Sequence, residues 1–375
     1  MSKLAKIGYS LQDVSIIPAR ITEIRSRKEV NPYTTICNRK VYPIFVAPMA
    51  AVTDEKNYKI WLNNKVIPVI PRSVSTKIDE HGNIVPNLSL EERLNLAEET
   101  FFSLSLIEEE DFLEYEDTGF EKKYICIDIA NGHMRKVLDI CKRVKDSYGD
   151  RVEMMVGNIA NPKVYSDLCE ACVDYVRVCI GSGSRCTTAN STGIHFPSAT
   201  LLDELVEEKN KYIKYDKDCS CPYTKIIADG GIRWYDDINK ALAIGADAVM
   251  IGKLFAECEE ACGDVEYAVN ETEYINGNCF ERESIRFVNE KLIPYRMYSG
   301  MSHRSMQKLT GGDGSKVSEG ICKPVEVKYS VKHFMENVDA YLRSSMSYTN
   351  SRTLDDFKTS EMIILGGSGA NVYKK

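Results

Sequence analysis

The sequence predicts a single α/β domain, a (β/α)8 TIM barrel, and three observations predict it. Eight short runs rich in apolar and β-branched residues recur through the first two thirds of the chain. Helix-like stretches separate most of them. The runs are near-continuously apolar, as strands buried on both faces must be. An open doubly wound sheet would usually carry fewer strands and a glycine-rich first turn.

In chain order the runs are PIFVAP from Pro43, VIPVI from Val66, FFSLSLI from Phe101, YICIDIA from Tyr124, VEMMVG from Val152, DYVRVCIG from Asp174, KIIADGG from Lys225 and DAVMIG from Asp247. Helices are expected over 133–148, over 161–172, which starts Asn-Pro, and over 234–244, which stops at a glycine. Proline in the first turn and glycine after the last are sound helix punctuation. The third helix, around IEEEDFLEYED, has the weakest pattern. Residues 264–330 are rich in Gly, Ser and charge, with a hairpin turn at NGN (Asn276 to Asn278). A connection that long in a compact domain is usually functional or disordered, and it reads as a mobile flap. A closing helix follows near 331–346, and LGGSGANVYKK reads as a mobile end. The domain assignment is one catalytic barrel over 1–348 including the flap 264–330, a C-terminal tail over 349–375, and no regulatory CBS module between the second and third runs.

The chain has 375 residues, a formal charge of −7, 43% hydrophobic and 27% charged residues, ordinary for a globular protein with a sizeable core. The acidic balance argues against a general polyanion binder, although a few local cations could hold one small phosphate. No nucleic-acid partner is expected. No run of about eighteen apolar residues spans a bilayer, and the start MSKLAKIGYSLQD lacks the apolar core of a signal peptide. A cytoplasmic protein with no membrane partner is therefore expected. The thirteen cysteines are scattered, so in a reducing compartment most should be buried thiols. CEAC (Cys169 to Cys172) and CSC (Cys219 to Cys221) have no second pair or histidine at zinc spacing.

In a barrel of this kind the active site lies at the carboxyl ends of the strands. There the sequence places Asp128, Asn131 and Gly132 after the fourth run, Asn158 after the fifth and GSGSRCTTANSTG (181–193) after the sixth. Asp229 to Gly231 follow the seventh, and Gly252 and Lys253 the eighth. Loops after the seventh and eighth strands commonly bind phosphate, because glycines let backbone N–H groups reach the anion. Gly230, Gly231, Gly252 and Lys253 suit that role; the plainer alternative is that the glycines only make tight turns. Asp229 could accept hydrogen bonds from a ribose diol or cap the next helix. Cys186 sits in a loop whose amides could stabilise a thiolate, the form that attacks carbon, although a lone loop cysteine is more often inert. His133, His195 and His303 follow no metal spacing and, each taken alone, read as surface or hydrogen-bonded histidines.

GSGSRCTT resembles the cysteine loop of the IMP dehydrogenase and GMP reductase family, IIADGGIRWYDDINKALAIGADAVMIG its phosphate segment, and YSGMS its purine-contacting turn. LQDVSIIPAR, SRKEV, APMAAVT, YICIDIANGH, VGNI, SEGI and YLRSSMSY follow in family order, so the resemblance covers residues from about 9 to 348. It implies a barrel that binds a purine mononucleotide and a nicotinamide cofactor, with Cys186 bonding covalently to purine C2. Thr188 then matches the threonine that helps activate water or ammonia. The carbonyls of Gly181, Gly183 and Cys186 become donors to a potassium ion, and Ser184 a phosphate ligand. Asp229, Gly230, Gly231, Gly252 and Lys253 fall at ribose and phosphate contacts. Tyr298, Gly300, Met301 and Ser302 fall in the turn that meets phosphate and purine, and Glu319 at a substrate-contacting position. Met49 would pack against the base, with Asp128, Asn131 and Gly132 on the nicotinamide side. The family implies a homotetramer.

Within the family the chain is closest to GMP reductase in pattern. ICIDIANG resembles the reductase form, and the Arg-Tyr pair that dehydrogenases use as a base for water does not occur between Gly300 and Glu319. The implied reaction is NADPH-dependent reductive deamination of GMP, or a related guanine nucleotide, to IMP and ammonia. The alternatives are a short IMP dehydrogenase oxidising IMP to XMP with NAD, and a nucleotide-binding regulator without turnover. Lys253 replaces a small residue, Ser198 a glutamine and Ala189 a basic residue of the family pattern, and the segment from Val265 to Pro294 is longer, which leaves a deoxy or base-modified nucleotide open. GMSHRSM also lacks the flap glutamate of reductases. His303 falls roughly in its place, either as the proton donor to the departing ammonia, a task suited to imidazole, or as a solvated flap residue, with Glu319 the next candidate donor. Arg304 is too basic for proton transfer and would grip phosphate.

Overall fold

The computed structural model describes residues 7–78, 80–81, 84–105, 122–215, 223–268, 293–300, 303 and 320–366. At its centre is a closed barrel of eight parallel strands. They are β1 (Ile44–Val46), β2 (Ile67–Ile70), β3 (Phe101–Leu104), β4 (Lys123–Asp128), β5 (Val152–Ile159), β6 (Tyr175–Val178), β7 (Lys225–Asp229) and β8 (Ala248–Ile251). All eight apolar runs fall on these strands, and β8 pairs with β1 to close the ring.

Alternate residues of each strand enter two different cores, because successive side chains point to opposite faces. Phe45, Ile67, Val69, Phe101, Tyr124, Cys126, Met155, Tyr175, Ile227 and Met250 fill the barrel interior. Their neighbours Ile44, Val46, Ile125, Ile127, Val176 and Val249 pack outward under the helices. The interior is held by an aromatic layer in which Phe101 meets Phe45, Tyr124 and Tyr175 at ring-centroid distances of 5.8, 5.5 and 5.6 Å. Continued by two residues, the same inward rows place Asp128, Arg177 and Asp229 in the next layer up, at the carboxyl ends of β4, β6 and β7.

The opposite end is plugged by a hairpin, Thr34–Ile36 with Arg39–Val41. Cys37 and Asn38 form its turn with φ of 50° and 55°, the doubly positive pair that a two-residue hairpin of the primed type needs. Ile36, Cys37 and Val41 join the barrel interior.

The outer helices are α1 (Tyr58–Asn63), α2 (Leu90–Leu96), α3 (Arg135–Tyr148), α4 (Tyr165–Glu170), α5 (Thr188–Thr192), α6 (Ser198–Tyr215), α7 (Tyr235–Ile244), α8 (Lys253–Ala256), α9 (Val331–Tyr348) and α10 (Leu354–Phe357). The expected Asn-Pro start appears as a 3-10 turn at Pro162–Val164, capped by the Asn161 side chain, leading into α4. α7 stops at Gly245, whose φ is 125°. The helix expected around IEEEDFLEYED lies outside the described residues, as do the NGN turn and all but the first two residues of LGGSGANVYKK.

Within the flap, β9 (Glu266–Ala268), β10 (Ile293–Ser299) and β11 (Cys322–Glu326) form an antiparallel sheet in that order. Past α9 the chain adds α10 and a strand, Met362–Ile364, paired antiparallel with Val14–Ile16. Six of the nine free thiols among the described residues are buried, in keeping with structural cysteines. Cys172 is instead disulfide-bonded. Among the described residues no helix is long and apolar enough to cross a membrane.

Gly157 on β5 lets the next strand approach. A Cβ there would collide with the Arg177 side chain and lie 2.7 Å from the Arg177 carbonyl oxygen. Gly157→Ala is expected to cost about 1–3 kcal/mol, the usual penalty of overpacking. Denaturant unfolding checks it, and a loss under about 0.5 kcal/mol would contradict so close an approach.

Candidate active site

A cavity of about 460 Å³ opens at the carboxyl ends of the strands, within the usual range for small-molecule sites. Its wall gathers most of the residues expected from the sequence. Met49 comes from the loop after β1. Gly181, Gly183, Ser184 and Cys186 come from the loop after β6, and Asp229, Gly230 and Gly231 from β7 and the turn after it. Gly252 and Lys253 follow β8, and Tyr298 and Gly300 come from the flap. Ala47, Ser182, Arg185, Ile232, Arg233, Met250 and Gly320 also line it and were not expected.

The floor is a buried charge network. Arg177, 7% exposed, donates from Nη1 to Asp128 Oδ1 at 2.5 Å and from Nε to Asp229 Oδ2 at 2.9 Å. Asn158 Nδ2 donates to the same Asp229 oxygen at 2.8 Å. Burial disfavours the Arg177 charge, but Asp229 and Asp128 outweigh it and hold its pKa well above the usual arginine value. This fixes the Asp229 carboxylate in one orientation at the cavity wall, with its Oδ2 engaged. The signal for Arg177 was present in the sequence as the single charge inside the apolar run YVRV, two positions after an inward tyrosine.

The cysteine loop is held from two sides. The Cys186 amide donates to Gly183 O at 3.0 Å, and its thiol donates to Thr188 Oγ1 at 3.2 Å. Thr188, at the start of α5, places its hydroxyl against that thiol and is not itself among the lining residues. On the other side Cys186 forms an antiparallel bridge with Gly320, and Ile321 N donates to Arg185 O at 3.0 Å. Arg185 stacks over the Tyr298 ring at 5.1 Å, and its Nε donates to Tyr298 O at 3.2 Å. The flap sheet and the cysteine loop are thus one hydrogen-bonded unit. Cys186 is half-buried in the cavity wall. Nearby Cys126 and Cys179 are sealed in the core, where burial pushes their thiols up to about 12. Exposure to the cavity singles out Cys186 among these three.

Close against the cysteine loop, Gly230 and Gly231 have φ of 97° and 79°, a conformation that favours glycine. A Cβ on Gly230 would come within 2.8 Å of Ser182 Oγ. Tyr298, its phenol pKa raised by burial, donates to Met49 Sδ at 2.9 Å, and Gly252 leaves room for both side chains. Lys253 is ion-paired with Glu257.

The three residues expected on the nicotinamide side do not line the cavity. Asp128 is committed to Arg177. Gly132 N donates to Asn158 O at 2.8 Å. Asn131, exposed, uses Oδ1 to accept from His133 N at 3.2 Å, and its amide nitrogen has no acceptor among the described residues. His133 Nε2 accepts from Ala160 N at 2.9 Å and His195 Nδ1 contacts Ile180 O at 3.0 Å, so both are hydrogen-bonded histidines as expected. His303 sits in the flap with its amide donating to Gly300 O at 2.9 Å, against Gly320. Met301, Ser302, Arg304 and Glu319 lie outside the described residues. Ser198 does not line the cavity; it is buried and accepts from Leu11 N at 3.3 Å. Among the described residues no group of three His, Cys, Asp or Glu is arranged to hold a metal ion.

Residues 108–371 match the family model described as the IMP dehydrogenase / GMP reductase domain. Among curated proteins, the inosine-5′-monophosphate dehydrogenase of Chlorobaculum parvum is 32% identical over 238 residues, covering 62% of this chain and 43% of that protein. The enzyme of the same name from Methanocaldococcus jannaschii is 32% identical over 265 residues, covering 65% and 47%. That of Mycobacterium tuberculosis is 29% identical over 261 residues, covering 65% and 43%. The matched part spans less than half the length of each of these relatives.

Proposed function

This chain belongs to the IMP dehydrogenase / GMP reductase family, and from that premise we propose that it is a purine 5′-mononucleotide oxidoreductase working through Cys186. The observation that carries this is the position of Cys186, half-buried in the cavity wall, hydrogen-bonded to Thr188 and sharing the cavity with the glycine turns after β7 and β8. The base and ribose would lie between Met49 and Asp229, with the phosphate toward Gly231, Gly252 and Ser184.

In the reductive direction the Cys186 thiolate attacks C2 of GMP, forming a C–S bond. The 2-amino group leaves as ammonia after taking up a proton. When bound, a reduced nicotinamide, NADPH in this proposal, would supply hydride to C2, and the Cys186 sulfur would then depart as thiolate as its C–S bond breaks. IMP is the product. Thr188 holds the departing amine and His303 protonates it. The open Asn131 amide nitrogen fits a carboxamide oxygen of such a cofactor. A potassium ion would be held by the carbonyls of Gly181, Gly183 and Cys186, oxygen donors suited to a hard cation.

The reductive direction is supported by ICIDIANG and by the missing Arg-Tyr pair. The oxidative one, IMP to XMP with NAD and water, is supported by the relatives' name. Incubation with GMP and NADPH beside IMP and NAD separates them, since only one pair changes nicotinamide absorbance. NAD reduction by IMP without NADPH oxidation by GMP removes the reductase. A binding regulator would leave Cys186 unmodified by 2-chloro-IMP in mass spectrometry despite tight nucleotide binding. A cytoplasmic homotetramer completes the proposal, and light scattering showing a monomer at micromolar concentration would remove that assembly.

His303→Ala is expected to slow deamination about 10²-fold or more while changing nucleotide affinity little, the usual weight of a general acid. Wild-type turnover in that variant from pH 6 to 9 would place the proton donor elsewhere.

A further inference from the structure

Lys253 opens α8 and lines the cavity beside Gly252. Its ammonium is ion-paired with Glu257, one helical turn on, whose side chain is 2% exposed. That carboxylate has two further partners. Lys328 Nζ lies 3.3 Å from Oε1, and the Tyr329 hydroxyl donates to Oε2 at 3.0 Å. One buried carboxylate needs one cation to offset its charge, and Lys328, which does not line the cavity, already supplies it. The three charged groups sum to one surplus positive charge, and the member that reaches the cavity wall is Lys253. The same wall carries Arg233, whose backbone amide is bound to Asp237 at 2.8 Å while its guanidinium has no partner among the described residues.

Resting on the nucleotide function above, we propose that Lys253 determines specificity for the dianionic 5′-phosphate, turning from Glu257 to the ligand while Lys328 and Tyr329 hold the carboxylate. The arrangement is a shared counter-ion. Glu257 positions the Lys253 ammonium at the wall of the empty site, and Lys328 keeps Glu257 from being stranded when Lys253 moves. A lysine on a four-carbon stem can make that exchange without any change in the backbone. The substrate class this selects is a purine nucleoside 5′-monophosphate over the free nucleoside.

The test is calorimetric binding of GMP, guanosine, ribose 5-phosphate and inorganic phosphate to the full chain and three variants. Lys253→Met is expected to weaken GMP and inorganic phosphate about 10- to 100-fold, the span of a charge-assisted hydrogen bond, and to leave guanosine unchanged. Glu257→Gln, which removes the competing anion, should tighten both phosphates. Lys328→Met should weaken them by a smaller factor although it touches no ligand, because Lys253 then becomes the sole cation on Glu257. Wild-type phosphate affinity in Lys253→Met, weaker phosphate binding in a folded Glu257→Gln, or no phosphate binding by the wild-type chain overturns the proposal. Lys253-dependent phosphate binding with no preference for GMP over ribose 5-phosphate sustains the phosphate role and removes the purine nucleotide function instead.

Discussion

Cys186→Ser is expected to lower turnover on the order of 10³-fold or more while nucleotide affinity shifts less than about threefold. The reason is that one atom is exchanged. Serine keeps the Gly183 and Thr188 contacts and the bridge to Gly320, so the loop and cavity shape persist, but a hydroxyl is a far poorer nucleophile than a thiolate at neutral pH. Losing a covalent step lowers kcat and leaves ground-state binding intact. Steady-state turnover, with binding measured separately, checks the split. Retention of more than a tenth of wild-type turnover would mean that the reaction does not pass through sulfur.

Arg177→Met is expected to destabilise the barrel by about 3–5 kcal/mol, the cost of stranding buried charges by removing their partner. Two carboxylates, Asp128 and Asp229, would then face each other across the floor with Asn158 as the remaining donor to Asp229. The loss should shrink by at least half in an Asp128→Asn, Asp229→Asn background, because groups in one network do not act additively. Urea unfolding of the four forms supplies the cycle. A cost below 1 kcal/mol in the single variant, or full additivity, would show that the three charges are not coupled.

The barrel was legible because its strands are buried on both faces, so their apolarity is continuous and hard to mistake for a surface element. The site was legible where chemistry depends on residue type at a strand end, as for Cys186, Asp229 and Gly231. Arg177 was missed because its meaning lies in partners 49 and 52 residues away in the chain, which periodicity cannot report. The flap strands were hidden by Pro294 and Pro324, residues that weaken a strand pattern, so an ordered sheet read as a connection. Lys253 was seen as a phosphate residue, but its bond to Glu257 was not; the four-residue spacing was visible, yet nothing in the sequence says that Glu257 is buried or that Lys328 shares it. The segment after α9 read as a plain tail because its strand Met362–Ile364 is only three residues long and its partner, Val14–Ile16, lies at the other end of the chain.

The joining of the cysteine loop to the flap through Arg185 and Ile321 gives the ligand-free chain an internal clock. The Ile321 amide proton can exchange with solvent only when its bond to Arg185 opens, so its deuterium uptake times the departure of the flap from the cysteine, with no substrate present. If flap release limits turnover, that exchange should slow when a nucleotide is added and quicken with any substitution that speeds product release. The opening rate then becomes an upper bound on how fast the proposed reaction can cycle.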